Sequence, residues 1–411
     1  MKATMNTTRA TSWVAALGAL GACEEAAVTA APDASRMVLR CPGDREAALP
    51  DGAGGVRCLA VGARGAGGTD EWPNVTGASS VRYVRAGTGA GGDGTRDRPF
   101  RTIAEGVDGA TEGTVVALSA GRHTLAATVH VTAGVTVAGA GPDRTVVTLP
   151  MTETALRWEA TGGILRGARL ARGGTPTAAD AVVALDVADG ASLAVEDVII
   201  EGAGIGAQVG DAVFRANRVD VLRAGRNGVR LRPGARAALT GFVVRGGAAA
   251  GVTADGAHVH LRDGLIDHNE GNGLALAGDV TTRGGSATCD GEIDLGGAGP
   301  RDCLSRVSIQ CNGITGIYVD GARVVGAREI TVWGTRARGG VPSGDGVFLQ
   351  GGGRMMLDAD RPAEERVGTR SLLGDNARMG ILAEGTGTTV TARGLRAVGN
   401  ANGGMFIQRS A

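Results

Sequence analysis

Apolar residues recur along most of this chain in pairs two positions apart, each pair following a turn and enclosing one polar or small residue. Leu185/Val187, Ala207/Val209, Val229/Leu231, Val252/Ala254 and Leu274/Leu276 begin 22, 22, 23 and 22 residues apart. The pattern resumes at Ile317/Val319, Val347/Leu349, Ile381/Ala383 and Met405/Ile407, with longer insertions between. A period of two is that of a strand, and both members of each pair face the same side. A coil of this length suits three short strands and three turns. A second inward column is predicted at Ile200, Leu222, Val244 and Ile266. A helical solenoid would need a longer repeat and a period of 3.6. The pattern therefore predicts an all-β solenoid of roughly ten coils, which at about 4.8 Å per coil makes a rod about 50 Å long.

The stretch from Val81 to Pro150 opens the repeat. A short strand, Val81 to Val84, leads into Gly89-Ala90-Gly91-Gly92-Asp93-Gly94 and then Asp97-Arg98-Pro99-Phe100. Thr102-Ile103-Ala104-Glu105 is a capping box, predicting a helix kept short by Gly106 and Gly109. Strand signals follow at Val115 to Leu118, Val129/Val131 and Val135/Val137. The order YV, GGDGT, RPFRTI, GTVV, GVTV, GAGPDRTVV resembles the N-terminal cap and first rungs of the pectin-lyase-like, right-handed parallel β-helix family. The resemblance is close over residues 81–150 and continues only as a repeat pattern. It implies a right-handed parallel β-helix over 81–411, with a short N-terminal capping helix.

Composition fixes the setting. The chain has 411 residues, with 72 Gly against 4 Trp, 2 Tyr and 5 Phe, which favours tight turns over a bulky core. Its 42 basic and 42 acidic residues balance, so no electrostatic case exists for nucleic acid. Residues 1–22 read as a lipoprotein signal peptide, with Lys2 and Arg9, an apolar run from Trp13, and Leu20-Gly21-Ala22-Cys23 resembling a lipobox. Cys23 is then the acylated residue; an ordinary cleaved signal peptide is the alternative. The apolar run is too short to span a bilayer. The expected location is extracytoplasmic, on a bacterial envelope membrane facing the periplasm or the cell surface, with the lipid as the sole membrane contact. Residues 23–80 read as a tether with a small disulfide-closed segment. In an oxidising compartment Cys41 and Cys58 are expected to pair. Among Cys289, Cys303 and Cys311 the expected pair is Cys289 with Cys303, leaving Cys311 near a strand end. Residues 277–312 are expected to form a stapled loop in place of a regular coil.

Candidate chemistry is sparse. The Gly89–Gly94 loop matches a dinucleotide-type glycine pattern, but its helix opens eight residues too late for that use. Many members of the resembled family cleave polyuronides. Polygalacturonases carry an adjacent Asp-Asp pair, and this chain has none. Pectate lyases carry Trp-Ile-Asp-His and Arg-x-Pro-x-x-Arg stretches; Ile266-Asp267-His268 follows Leu265 instead of Trp, and Arg232-Pro233-Gly234-Ala235-Arg236 lacks the spacing. Lys2 is the only lysine, so a lysine base is excluded from a mature chain. A polysaccharide lyase or glycoside hydrolase using Arg230 or Arg232 with Asp267, and calcium on acidic ligands, is the alternative to a non-catalytic protein. His258 and His260 share one strand face and could chelate a metal with a third ligand. No cofactor is expected otherwise.

The residues between the inward pairs point outward and change character along the rod. They are Asp186, Gln208, Arg230, Thr253 and Ala275, then Tyr318, Phe348, Leu382 and Phe406. Aromatic faces suit sugar rings or a partner's apolar residues, so Tyr318, Phe348 and Phe406 are the candidate binding residues for a glycan or an envelope protein. The competing expectation is that residues 327–343 and 354–376 fold over them. Glu201, Arg223, Arg245 and Asp267 are expected to stack as a charge ladder. Met405-Phe406-Ile407 begins a further coil, which predicts end-to-end self-association or a missing segment.

Overall fold

The computed structural model describes residues 41–51, 55–64, 70–151, 154–174, 176–177, 180–279, 302–337, 343–358 and 371–408. The signal peptide, Cys23 and Cys289 lie outside them. Among the described residues no helix is long and apolar enough to cross a membrane.

The chain is an all-β parallel solenoid. Its walls are an 11-stranded sheet and an 18-stranded sheet. The 11-stranded sheet takes one strand from each coil. Its register aligns Leu185, Ala207, Val229, Val252, Leu274, Ile317, Val347, Ile381 and Met405, as the sequence period predicts. The 18-stranded sheet takes longer, bent strands such as Ser192–Glu201, Val213–Leu222, Arg236–Arg245 and His258–Asp267. Each bends at one residue in the left-handed region: Asp197, Arg218, Gly241 and Asp263, with φ of 49°, 54°, 61° and 53°. A corner of a single residue turns the chain without spending extra length, which keeps the coil near 22 residues.

The solenoid opens on α1 (Ile103–Val107), whose capping box forms as read: Thr102 Oγ1 accepts from Glu105 N at 3.2 Å and Glu105 Oε2 accepts from Thr102 N at 3.3 Å. One continuous core of Val, Leu, Ile and Ala runs through the rod. A column of glycines opens the strands of the 11-stranded sheet, including Gly206, Gly228, Gly251, Gly273 and Gly316. A Cβ on Gly228 would sit 2.4 Å from Val244 Cγ1, and one on Gly316 would sit 2.2 Å from Val332 Cγ1. The column is glycine because the opposite wall leaves no space there. Beside it runs an asparagine ladder. Asn269 Nδ2 donates to Asn312 Oδ1 at 3.0 Å, Asn376 Nδ2 to Asn400 Oδ1 at 2.8 Å, and Asn312 Nδ2 to Ile266 O at 3.2 Å. Inside a corner, the fully buried Arg323 donates to Asp302 (2.8 Å) and to the carbonyls of Ala254 and Ala277. That saturation of its donors is what makes a buried guanidinium tolerable.

Several expectations are corrected. The inward residue of the second coil wall is Val221, not Leu222: Ile200 aligns with Val221, and Val221 with Val244. Arg223 therefore leaves the column of Glu201, Arg245 and Asp267 and occupies a left-handed corner, φ 53°. The pairs themselves form, Glu201 with Arg223 and Arg245 with Asp267 at 2.8 Å. Residues 302–310 are no stapled loop but a regular strand in register with His260–Asp267. Cys311, expected as the odd cysteine of its trio, is disulfide-bonded, as is Cys303.

Cys41 and Cys58 are bonded, with Cα atoms 5.7 Å apart. They close an antiparallel hairpin, β1 (Glu46–Pro50) and β2 (Val56–Ala60). The hairpin is docked lengthwise on the 18-stranded wall: Ala47, Leu49 and Val61 pack on Val243 and Leu265, while Ala48 packs on Trp333 and Leu372. Leu222, released from the core by the register shift, joins this contact.

Candidate binding face

Outward residues of the 11-stranded sheet form one column from His130 to Phe406. Its first half is a charge network. Arg157 donates to Glu159 at 2.9 Å and to Asp186 at 2.6 Å, His130 Nδ1 lies 3.0 Å from Glu159, and Gln208 donates to Asp186 at 3.2 Å. The hydrogen bond with His130, followed by those from Arg157, holds the Glu159 carboxyl below its usual range. This side spends its charges on itself.

The second half differs. Tyr318, Phe348, Leu382 and Phe406 align in successive coils. Tyr318 and Phe348 are half-buried, their ring centroids 5.7 Å apart and tilted by 59°. Leu382 is buried and Phe406 is 48% exposed. Two residues along each strand, on the same outward side, runs a polar row in register: Asp320, Gln350, Glu384 and Gln408. Tyr318 Oη donates to Asp320 Oδ2 at 3.1 Å and accepts from Gln350 Nε2 at 2.8 Å. Burial, and then the Asp320 charge, push the phenol above its ordinary value, so it stays a donor. The Tyr318 ring is thus oriented by its own polar neighbours. Such a strip offers stacking surface with hydrogen-bonding groups along one side.

The residues expected to cover this column divide. Residues 324–328, 331–333, 354–357 and 371–374 are strands of the 18-stranded sheet, so they build the opposite wall. Residues 338–342 and 359–370 lie outside the described ones.

The other candidates are not brought together. Arg230 and Arg232 are exposed at the 11-stranded sheet, whereas Asp267 is buried in the other sheet, held by Arg245 at 2.8 Å and His268 Nδ1 at 2.9 Å. The lyase set therefore has no common site. His258 and His260 align with Arg236 and Ala238, and His260 also with Cys303. Burial lowers the His258 pKa. Among the described residues, the one group of three possible ligands is Cys41, Glu46 and Cys58, and the disulfide occupies both sulfurs.

Sequence reasoning missed the charge network and the polar row. Both repeat with the coil period, so reading two outward positions per strand would have found them.

No protein-family profile and no curated protein sequence matches the chain. Among solved structures, a pectate lyase is similar at 12% identity over 80% of this chain and 79% of that one, TM-score 0.40. The A-module of a mannuronan C-5 epimerase from Azotobacter vinelandii is similar at 13% identity over 75% and 94%, TM-score 0.42. A rhamnogalacturonan lyase is similar at 13% identity over 80% and 87%, TM-score 0.36.

Proposed function

We propose that the chain is an extracytoplasmic cell-envelope protein, tethered through Cys23, that binds a glycan chain along the last coils of its 11-stranded sheet. The observation carrying this reading is the Tyr318/Phe348 pair, with the Tyr318 hydroxyl held by Asp320 and Gln350. A coil rise of about 4.8 Å is comparable to the length of one pyranose unit, so a glycan lying along the column meets a ring or a hydrogen-bonding group at each coil. The Cys41–Cys58 bond suits an oxidising compartment. Among the described residues Arg230 and Arg232 stand apart from Asp267, and this favours binding over the alternative of a polysaccharide lyase or hydrolase.

A glycan array tests the reading, followed by Phe348→Ala on whichever glycan binds. The substitution is expected to weaken binding by about tenfold, the value of one lost aromatic contact. Unchanged affinity would remove the site. A reducing-end release assay on the same glycans runs beside it, and turnover would replace the binder with the enzyme.

A further inference from the structure

The polar row beside the aromatic column has a period of its own. In register along the 11-stranded sheet it reads Asp255, Ala277, Asp320, Gln350, Glu384 and Gln408, so a carboxylate stands at every second coil with an uncharged residue between. Two coils rise about 10 Å. Asp255 follows Arg232 of the preceding coil, and there the basic part of the face ends. From Ala275 to Gln408, the outward residues of the column and the row include no basic one. At the other end of these strands, Arg378 is held by the buried Asp345 at 3.4 Å. Among the described residues, neither Asp320 nor Glu384 has a basic partner. Both are half-buried.

A half-buried carboxylate beside apolar rings is a charge without compensation. A neutral glycan would cover Tyr318 and Phe348 and leave Asp320 and Glu384 in that state. A polyuronide would bring further negative charge to them. An ammonium group pairs with the carboxylates, and aromatic faces attract it as well. The spacing adds a linkage. In a β-1,4-linked chain neighbouring units are flipped, so equivalent substituents return to one side at every second unit, about two coils along the rod. Gln350 and Gln408, between and beyond the acids, can donate to or accept from the hydroxyls that face them. Resting on the glycan-binding reading above, we propose that this face takes a β-1,4-linked hexosamine chain with free amino groups. Its protonated amines lie on Asp320 and Glu384, and its rings on Tyr318, Phe348 and Phe406.

Calorimetric titration of the full chain with tetraglucosamine tests this at a pH that keeps its amines protonated, with cellotetraose, tetragalacturonate and tetralysine as comparators. Tetraglucosamine is expected to bind about fivefold or more tighter than cellotetraose, the value of two exposed ion pairs. Added salt should narrow that gap. Glu384→Gln, which keeps the shape, and Asp320→Asn should each reduce the ratio by about twofold or more. Phe348→Ala should weaken both sugars alike, which separates the face from its charge preference. The proposal is overturned if cellotetraose or tetragalacturonate binds as tightly as tetraglucosamine, or if Glu384→Gln leaves the ratio intact. Tetralysine binding as well as the sugar would overturn it too, since that ligand has no rings to stack. A neutral or anionic sugar still bound through Phe348 would keep the glycan reading of the face, whereas loss of all sugar binding would remove both.

Discussion

Two outward columns of this solenoid can be compared directly. On the 18-stranded wall, Ile199, Asp220, Val243, Leu265, Ser308, Thr331 and Leu372 stand in register and all point away from the core. Every one of them is buried, and the docked hairpin accounts for Val243, Leu265 and Leu372. On the 11-stranded wall, Tyr318, Phe348 and Phe406 hold the equivalent outward place and remain half-buried or exposed. Outward on a solenoid is thus not the same as solvent-facing. The covered wall reads in sequence as unbroken apolar runs, Val198-Ile199-Ile200 and Phe242-Val243-Val244, as strands buried on both faces do. The open wall has large outer residues too, but flanked by the polar row. Even the acid on the covered wall is paid attention by its cover: Asp220 is fully buried, lies 2.7 Å from Arg45, and burial raises its pKa.

The largest effect expected from this difference is in packing. Leu49→Ala removes a fully buried side chain from the contact with Val243 and Leu265, and should cost about 2–5 kcal/mol in urea denaturation. Phe348→Ala, from a half-buried ring, should cost about 1 kcal/mol. Equal costs would mean that the aromatic column is sealed as a second core, and the contrast would collapse.

Breaking the hairpin's staple comes next. Cys41 and Cys58 are 17 residues apart, and a loop of that size loses about 3 kcal/mol of constraint on the open form when uncrosslinked. In the Cys41→Ser/Cys58→Ser protein, amides of β1 and β2 should exchange faster. Those of the 11-stranded sheet should not. If both walls lose protection together, the hairpin belongs to one cooperative unit with the rod.

The architecture was readable because its signal repeats. Nine coils contribute the same apolar pair, so an error at one coil is outvoted, and the register of the 11-stranded sheet follows directly. The bent wall was harder. At Leu222 a strong apolar residue sits beside the inward Val221, and one coil there is 21 residues, not 22, so counting from Leu222 shifts Arg223 by one. The hairpin's docking could not be read at all, since Ala47, Ala48 and Leu49 have no periodic partner and their contact is set by distance in sequence. The glycine and asparagine columns were visible as repeated letters. Their cause was not: the space at Gly316 depends on Val332 across the core, and Asn312 on Asn269 in the preceding coil. The outward aromatic column was legible, but not the hydrogen bonds that orient Tyr318.

Acid should act on the interior of the first coils before it acts on the covered wall. His123 is buried, with Nε2 3.0 Å from Ser119 O, and burial lowers its pKa. The folded form holds it neutral, whereas the unfolded chain takes up a proton below the ordinary value of 6.5. Stability is therefore full above that pH and falls as pH drops below it, until the folded histidine also protonates. His258, also lowered by burial, has the same sign. Asp220 has the opposite sign: its raised pKa favours the folded state as pH falls toward the unfolded carboxyl's 3.8. Urea midpoints measured from pH 8 to about pH 5 should decline for the parent chain and decline less for His123→Gln. An unchanged slope in the variant would leave His123 out of the titration.

The smallest effect is expected at the margin of the covered wall, where Arg223 follows Leu222. Its guanidinium pairs with Glu201, which Arg169 also reaches at 3.2 Å, and its side chain is 57% exposed. An exposed pair whose acid keeps a second partner is worth about 0–1 kcal/mol. Against this, Arg223 stands in the left-handed region at φ 53°, where Gly202 and Gly246 occupy the matching corners of the coils on either side at 72° and 71°. A side chain in that conformation costs about 1 kcal/mol relative to glycine. Arg223→Ala keeps the strain and loses the pair, so it should destabilise by about 0.5 kcal/mol. Arg223→Gly loses the pair but relieves the strain, so it should match or slightly exceed the parent in melting temperature. If Arg223→Gly is instead the less stable of the two variants, the corner is not where the energy lies. The Arg223 stem over Leu222 would then be part of the cover itself, and the covered wall would extend one residue further than the hairpin reaches.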